Sequence, residues 1–186
     1  MTNTNVSTRL ATIRTHRPWP WAIGWALIPV LFAAIGFGYA QSQQFDDRRT
    51  YLATAAAVTA AALVGLIRML SSRIGLSRFG FRRPAAGSAR PLIWFAPLAL
   101  GPVLVAATTG IAVDRALIPG FVWLAAAAAF SEEIWYRGIV MATLRQRSRR
   151  TAIVGSAVIF GVLHLANLFG GASPLYAGLQ LAFAAL

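Results

Sequence analysis

The sequence predicts an all-α fold, a polytopic transmembrane helical bundle with five full spans and a partial sixth. Of its 186 residues, 58% are hydrophobic and only 12% are charged, with a mean hydropathy of +0.63, a composition unlike that of soluble domains. The apolar residues form runs of roughly 20, the length that crosses a bilayer. The arginines cluster between these runs, so the net charge of +12 indicates membrane topology and argues against nucleic-acid binding.

Six apolar runs follow a polar N-terminal tail, residues 1–18. They cover residues 19–40, 51–70, 91–113, 118–144, 151–168 and 175 onward. The first run is longer than the core of a signal peptide, about 7 to 15 residues, and is expected to remain as a span that Pro29 bends. The sixth holds about twelve apolar residues, fewer than the roughly 20 needed to cross a bilayer.

The arginines predict the orientation of the chain. If the runs alternate across the membrane, thirteen of the seventeen arginines lie on the side of the N-terminal tail. Cytoplasmic loops carry the excess of positive charge. We therefore expect a cytoplasmic tail over 1–18 and a transmembrane domain over 19–186, in a bacterial plasma membrane.

The only two glutamates of the chain, Glu132 and Glu133, lie within the fourth run. A carboxylate deep in a bilayer costs about 2.5 kcal/mol or more, so such residues usually mark a functional site. Glu132 lies thirteen residues before Arg145, and His164 lies thirteen residues after Thr151. At 1.5 Å per helical residue, both are about 20 Å from the same boundary. Because consecutive spans are commonly neighbours, a shared pocket is sterically plausible.

Helical spacing divides the charged residues of the fourth run. Glu133 and Arg137 are an i, i+4 pair, which predicts an ion pair, while Glu132 points about 100° away. The pair is as consistent with a structural role as with support of a catalytic site. Glu132 has no local partner, which favours a functional role.

The fifth run supplies the other polar groups of this pocket. Phe160 should lie one turn below His164 and wall the pocket, and Asn167 could add an amide. By itself His164 would more often be a hydrogen-bonded core residue. A carboxylate beside an imidazole can take a proton from water and return it to a leaving group. Ser131 is a weak nucleophile candidate because no second histidine is placed to activate it.

A divalent metal is the other use of such groups. Glu132 and His164 would be its ligands, but the chain has no HExxH motif and this ligand set is small. The chain also lacks cysteine, which excludes disulfides and thiolate metal sites. The sequence therefore requires no cofactor and leaves a metal open.

Together, Glu132-Glu133-x-x-x-Arg137 and Phe160-x-x-x-His164 resemble the first two motifs of the CAAX protease and bacteriocin-processing (CPBP, or Abi) family of intramembrane glutamic endopeptidases. The resemblance implies that Glu132 is the general base on a water and that His164 positions the water or the tetrahedral intermediate. Glu133 and Arg137 would support the site. Some members trim prenylated CAAX proteins, and bacterial members are linked to bacteriocin maturation or self-immunity.

One part of the family pattern is missing. A later helix of the family carries His-x-x-x-Asn and completes the site, whereas this chain has no third histidine, and the His164-x-x-Asn167 spacing does not replace it. The motif-bearing part, about 91–186, is thus expected to be incomplete. We expect a fragment that is inactive, or nearly so, by itself.

The favoured function is that of an intramembrane endopeptidase that hydrolyses a peptide bond with a glutamate-activated water. Its partners would be a peptide or protein substrate, with or without a lipid group, and membrane lipid. The alternative is a non-catalytic membrane accessory or bacteriocin self-immunity protein. A proton-coupled carrier is a third reading, since buried Glu and His also form proton relays.

Overall fold

The computed structural model describes residues 17–82 and 114–185, together with the isolated residues Gly87 and Ala107. Every regular element within these ranges is helical, which confirms the predicted fold class. Apart from Ala107, the predicted third span, residues 91–113, lies outside the described residues, as does the tail to residue 16.

The described helices follow one another along the chain with short connections. They are α1 (Pro18–Ser42), α2 (Asp47–Leu70), a 3₁₀ turn (Leu76–Phe79), α3 (Ile118–Glu132), a π-helix (Glu133–Val140), α4 (Met141–Leu144), α5 (Arg149–Leu163), a second 3₁₀ helix (His164–Gly170) and α6 (Pro174–Ala185). The consecutive segments α3, π-helix and α4 form one continuous helix, which we call the motif helix.

Within the described part of the chain, three helical stretches are long and apolar enough to cross a membrane: Pro18–Ser42, Asp47–Leu70 and Arg149–Gly170. They correspond to the predicted first, second and fifth spans. The count of five full spans and a partial sixth remains a prediction.

The helix starts follow from local chemistry. The Asp46 carboxylate accepts a hydrogen bond from Arg49 N at 2.8 Å at the start of α2, and Ser148 Oγ accepts one from Thr151 N at 2.9 Å at the start of α5. These side chains satisfy backbone donors that have no partner within the helix. Pro18 occupies the first position of α1, where the missing N–H costs nothing. The helix then continues past Pro29 to Ser42.

The motif helix runs parallel to α2. Near one end of the bundle, a Cβ on Gly120 would lie 3.2 Å from Tyr51 Cβ, and towards the other end a Cβ on Gly138 would meet Met69. Between these points, Trp123 Nε1 donates to Thr59 Oγ1 at 3.2 Å. The predicted second and fourth spans have this same relative direction.

The second half of the motif helix lies in the middle of the core. Ile134, Trp135, Val140 and Leu144 are all 0% exposed. Trp135 Nε1 donates to the Ala61 carbonyl of α2 at 3.0 Å. A buried indole N–H that is paired in this way holds the motif helix in register with α2.

Gly65 of α2 permits this close approach. A Cβ at residue 65 would lie 2.5 Å from Ile134 Cγ2 and 3.0 Å from Trp135 Cε2, both well inside van der Waals contact. Small residues commonly allow two helices to approach closely in lipid. Gly65 is therefore required where α2 packs against the motif.

The outer surface of the bundle is apolar. Leu31, Ile35 and Ile67 are 56%, 66% and 64% exposed, and large apolar side chains are exposed along all the long helices. Water would disfavour so much exposed apolar surface, whereas acyl chains match it. Together with the three apolar helices, this surface indicates a membrane protein.

Charge is distributed unequally between the two ends of the bundle. The end where α1 begins and α2 finishes carries nine of the described arginines: Arg17, Arg68, Arg73, Arg78, Arg82, Arg145, Arg147, Arg149 and Arg150. We call this the basic end. At the opposite end, Arg48, Arg49 and Arg115 lie beside three aspartates, Asp46, Asp47 and Asp114.

Candidate active site

The Glu-Glu-x-x-x-Arg motif lies where the motif helix changes its hydrogen bonding. An α-helix ends at Glu132, and a π-helix covers Glu133–Val140. A π-helix forms i→i+5 hydrogen bonds and often occurs at functional sites. The sequence predicts one regular α-helix here, and the structure differs: the 100° step between successive residues does not hold over Glu133–Val140.

Glu133 and Arg137 form the ion pair that their spacing predicts. Arg137 Nη1 lies 2.5 Å from Glu133 Oε1. Because a π-helix has more than four residues in each turn, side chains four apart lie almost directly above one another. The Glu133 side chain is 52% exposed and the Arg137 side chain is 71% exposed. This pair therefore lies on the surface of the motif helix and not within its buried face.

Glu132 is half-buried and lines two cavities of about 340 Å³ each. Cavity I lies on the side of Glu133, Arg137 and Ser156. Cavity II lies on the side of His164. Both volumes fall within the range of small-ligand pockets. Glu132 is therefore accessible from two directions.

Cavity II brings together the groups that the sequence predicted to share a pocket. Its lining includes Glu132, Phe160, His164 and Asn167. The motif helix supplies the carboxylate, whereas the end of α5 and the 3₁₀ helix that follows supply the other three. The expected meeting of Glu132 and His164 in one pocket is thus present in the structure.

A change of helix type orients His164. Its backbone N–H bonds to the Gly161 carbonyl, three residues back, because α5 ends at Leu163 and a 3₁₀ helix begins. The Phe160 carbonyl, four residues back, instead lies 2.9 Å from His164 Nδ1. A carbonyl oxygen only accepts, so this hydrogen bond requires a proton on Nδ1. In neutral His164, Nε2 is then an acceptor.

The Phe160 ring holds the imidazole from the side. Their ring centroids are 4.6 Å apart at an interplanar angle of 89°, and Phe160 also lies 4.7 Å from the Tyr136 ring. Edge-to-face contacts of this kind are favourable between aromatic rings. Phe160 therefore contacts His164 through both its backbone and its ring. This position matches the prediction that Phe160 forms a wall of the pocket beside His164.

Asn167 is the first member of a chain of amides and hydroxyls that extends to α6. Asn167 Nδ2 donates to Gln180 Oε1 at 2.7 Å, and Gln180 Nε2 donates to the Tyr176 hydroxyl at 3.3 Å. Gln180 also lines cavity II. One N–H of each side-chain amide remains for a ligand, as does the side-chain oxygen Oδ1 of Asn167.

Two further hydroxyls of cavity II have no protein partner within the described residues. They are Ser131 Oγ on the motif helix and Thr54 Oγ1 on α2, and both atoms are buried. Ser131 is only 1% exposed. Buried hydroxyls without protein partners commonly bind ordered water. Within the described residues, no histidine is hydrogen-bonded to Ser131 Oγ, so its hydroxyl has the environment of a water-binding group.

Tyr136 fixes the position of the wall between the two cavities. It lines both of them together with Glu132 and Phe160. Its hydroxyl donates to the Ala26 carbonyl of α1 at 3.0 Å, and its own carbonyl accepts from Ser156 Oγ of α5 at 2.8 Å. Tyr136 thus ties the motif helix to two neighbours directly beside Glu132.

The side chains of cavity II do not form a zinc centre by themselves. Among the described residues, no group of three or more His, Asp or Glu is arranged to hold a metal ion. Glu132 and His164 are two candidate ligands, whereas catalytic zinc generally has three protein ligands. Within the described residues, cavity II therefore offers two of the ligands that such a zinc centre needs.

Several functional candidates were missed at the sequence level. Tyr136 and Gln180 lie at helical positions that resemble ordinary packing, and Thr54 lies 78 residues before Glu132. Tyr136 had one signal: it lies between the two charged residues Glu133 and Arg137 and so belongs to the motif. Nothing in the local sequence distinguishes Thr54 or Gln180.

Comparison with known proteins gave one match. Residues 114–186 match the family described as Type II CAAX prenyl endopeptidase Rce1-like. No curated protein and no solved structure matched the chain. The matched residues include both motifs and the whole motif helix, and the matched family agrees with the resemblance that these motifs carry. Over residues 114–186, the chain is similar to the Rce1-like CAAX proteases.

Proposed function

We propose that this protein is an intramembrane endopeptidase of the CAAX-protease type, in which Glu132 activates a water for attack on a peptide bond. One observation carries the proposal: Glu132 and His164 line the same cavity within the segment that matches the family. The substrate is a peptide segment of a protein, bound within the membrane.

In the proposed reaction, the Glu132 carboxylate accepts a proton from a water in cavity II. The resulting hydroxide attacks the carbonyl carbon of the peptide, and a tetrahedral oxyanion forms. Protonated Glu132 then gives its proton to the leaving nitrogen as the C–N bond breaks. The products are a carboxylic acid and an amine, so the atoms of one water are consumed. This cycle is ordinary general base and general acid catalysis.

His164 positions the attacking water. With the Nδ1 proton bound to the Phe160 carbonyl, neutral Nε2 can accept a hydrogen bond from that water. Glu132 and His164 would then hold the water between two acceptors, which leaves a lone pair of its oxygen directed at the substrate. Ser131 and Thr54, with unpartnered hydroxyls on the same cavity, supply further contacts for the water.

Supporting roles follow from the remaining contacts. The Arg137 guanidinium pairs with Glu133, so within the described residues Glu132 is the carboxylate of the motif that has no ion-pair partner. The free N–H groups of Asn167 and Gln180 are placed to bind the backbone of a peptide in cavity II.

We also propose that the basic end faces the cytoplasm, which places the N-terminal tail there. The proposal is supported by the nine arginines at that end, since positive charge accumulates on the cytoplasmic side. At the other end, three arginines are offset by three aspartates. A bacterial plasma membrane is the setting in which this asymmetry would act.

The test is cleavage by the protein expressed from its complete gene and purified in detergent. The probe is an internally quenched peptide with a C-terminal CAAX sequence, offered with and without a prenyl group on the cysteine. Glu132→Gln should lower kcat by about 10² to 10⁴-fold, the usual contribution of a general base. Glu133→Gln is the matched control and should lower it much less.

The two variants also test the accessory or immunity alternative. A non-catalytic protein would show no cleavage that depends on Glu132, and its phenotype in cells would survive Glu132→Gln. Cleavage that is unchanged by this substitution would refute the proposed mechanism. A preference for the prenylated peptide would extend the substrate assignment to lipidated proteins.

A further inference from the structure

A third cavity, of about 350 Å³, lies at the basic end of the bundle, away from Glu132 and His164. The start of α1, the end of α2, the segment that follows α2 and the end of the motif helix all contribute to it. Its main lining residues are Trp21, Trp25, Arg68, Arg73, Phe79 and Gln146. We call it the basic cavity. The proposed peptidase reaction uses none of these residues.

The two arginines of the basic cavity have no carboxylate to neutralise them. The chain contains five carboxylate side chains. Asp46, Asp47 and Asp114 lie at the opposite end, and Glu132 and Glu133 lie in the motif helix at cavity I. Among the described residues, the ion pairs are Arg49–Asp46 and Arg137–Glu133. Two positive charges without a protein carboxylate thus share one cavity, which gives it an electrostatic preference for an anion from outside the protein.

Arg68 is held in place for such an anion. It is half-buried, and its Cζ lies 5.5 Å from the centre of the Trp25 ring, a cation–π contact. The Trp25 ring in turn stacks at 6.3 Å on buried Trp135. The stacked guanidinium keeps its N–H edges available, and these edges match the oxygens of a phosphate. Arg73, which is exposed, adds a second charge at the mouth.

The surroundings of the cavity indicate a lipid and not a dissolved ion. Ile74 lines the cavity and is 50% exposed, and the nearby Leu70 is 59% exposed. Both lie beside the arginines at the end of α2, so a polar cavity opens next to an apolar outer surface. A ligand with a phosphate and acyl chains would satisfy both parts. Basic pockets between transmembrane helices are known to bind anionic lipid headgroups.

We propose that the basic cavity binds the phosphate headgroup of an anionic phospholipid. Arg68 and Arg73 donate to the phosphate oxygens, and the Gln146 amide bonds to a polar group of the headgroup. The acyl chains lie along Leu70 and Ile74. The bound lipid would bridge α1, α2 and the motif helix at the basic end.

The experiment measures binding of single lipids to the protein in an uncharged detergent at 150 mM salt, by native mass spectrometry. The probes are phosphatidylglycerol, phosphatidylcholine and inorganic phosphate. Arg68→Gln/Arg73→Gln should weaken binding at the first phosphatidylglycerol site by roughly 25-fold, from about a five-fold loss for each arginine. Arg147→Gln/Arg149→Gln removes the same charge from the same end without touching the cavity lining, and should change it less than three-fold because salt screens distant charges.

A variant with one substitution distinguishes loss of lipid binding from loss of folding. Arg73 is exposed and forms no side-chain hydrogen bond or ion pair within the described residues, so Arg73→Gln should fold normally and still weaken binding about five-fold. Equal losses of phosphatidylglycerol affinity in the Arg68/Arg73 variant and the Arg147/Arg149 variant would overturn the proposal. Such a result would indicate that the lipid is attracted by the overall positive charge of the basic end. So would equal affinity for phosphatidylcholine. Inorganic phosphate that binds as tightly as the lipid would overturn the lipid assignment in favour of a soluble anion.

Discussion

Replacing Gly65 by alanine should damage the active site from a distance. The new Cβ would lie 2.5 Å from Ile134 Cγ2 and 3.0 Å from Trp135 Cε2. Carbon atoms prefer about 3.5 to 4.0 Å, so α2 and the motif helix must separate by about 1 Å. Neither neighbour can turn away easily, because both side chains are 0% exposed.

The expected cost follows from two contributions. Overpacking of a filled core typically costs about 1 to 3 kcal/mol. The separation also stretches the hydrogen bond from Trp135 Nε1 to the Ala61 carbonyl, now 3.0 Å, and such bonds between membrane helices contribute about 0.6 kcal/mol on average. We expect a loss of about 2 to 4 kcal/mol in the free energy of unfolding.

Activity should fall as well, because Glu132 lies on the same helix two residues before Ile134. A displacement of about 1 Å from the productive geometry can cost roughly 100-fold in rate. Stability would be followed by thermal unfolding in detergent, and activity by cleavage of the quenched peptide. Gly24→Ala is the control, since no atom lies within 4 Å of its new Cβ. Equal stability of the two variants would refute the close packing described for Gly65.

Two further substitutions test the site directly. Tyr136→Phe removes the hydrogen bond to the Ala26 carbonyl at 3.0 Å and should lower the unfolding free energy by about 1 kcal/mol. Tyr39→Phe is the control, because the Tyr39 side chain is exposed and its hydroxyl forms no hydrogen bond within the described residues; an equal loss in both would contradict the anchoring role of Tyr136. Ser131→Ala should slow peptide cleavage while leaving thermal stability unchanged or slightly higher, because the buried hydroxyl has no protein partner to lose; a clear drop in stability would contradict its assignment to water binding.

The parts of the structure that depend on composition and spacing were predictable from sequence. Runs of about 20 apolar residues indicated the helices. The i, i+4 spacing predicted the ion pair of Glu133 and Arg137. Equal distance from one boundary predicted that Glu132 and His164 share a pocket, and they line the same cavity. Each of these inferences needs only helical geometry and the thickness of a bilayer.

The local changes of helix type were not predictable in this way. The π-helix over Glu133–Val140 and the 3₁₀ helix from His164 to Gly170 both lie within runs that have ordinary helical composition. The i→i+4 hydrogen-bond pattern differs little in energy from the i→i+3 and i→i+5 patterns. Tertiary packing therefore decides which of them forms. Here, Trp135 reaches Ala61 and Tyr136 reaches Ala26, and both partners are distant in sequence.

The shared wall of the two cavities has a consequence for inhibitor chemistry. A compound in cavity I could approach Glu132 while placing an anionic group near Arg137, without displacing anything bound beside His164. A compound in cavity II would compete with the peptide instead. Two chemically different scaffolds could thus block one carboxylate by separate routes, and a linker past the Tyr136 and Phe160 rings would join them into a single bivalent molecule.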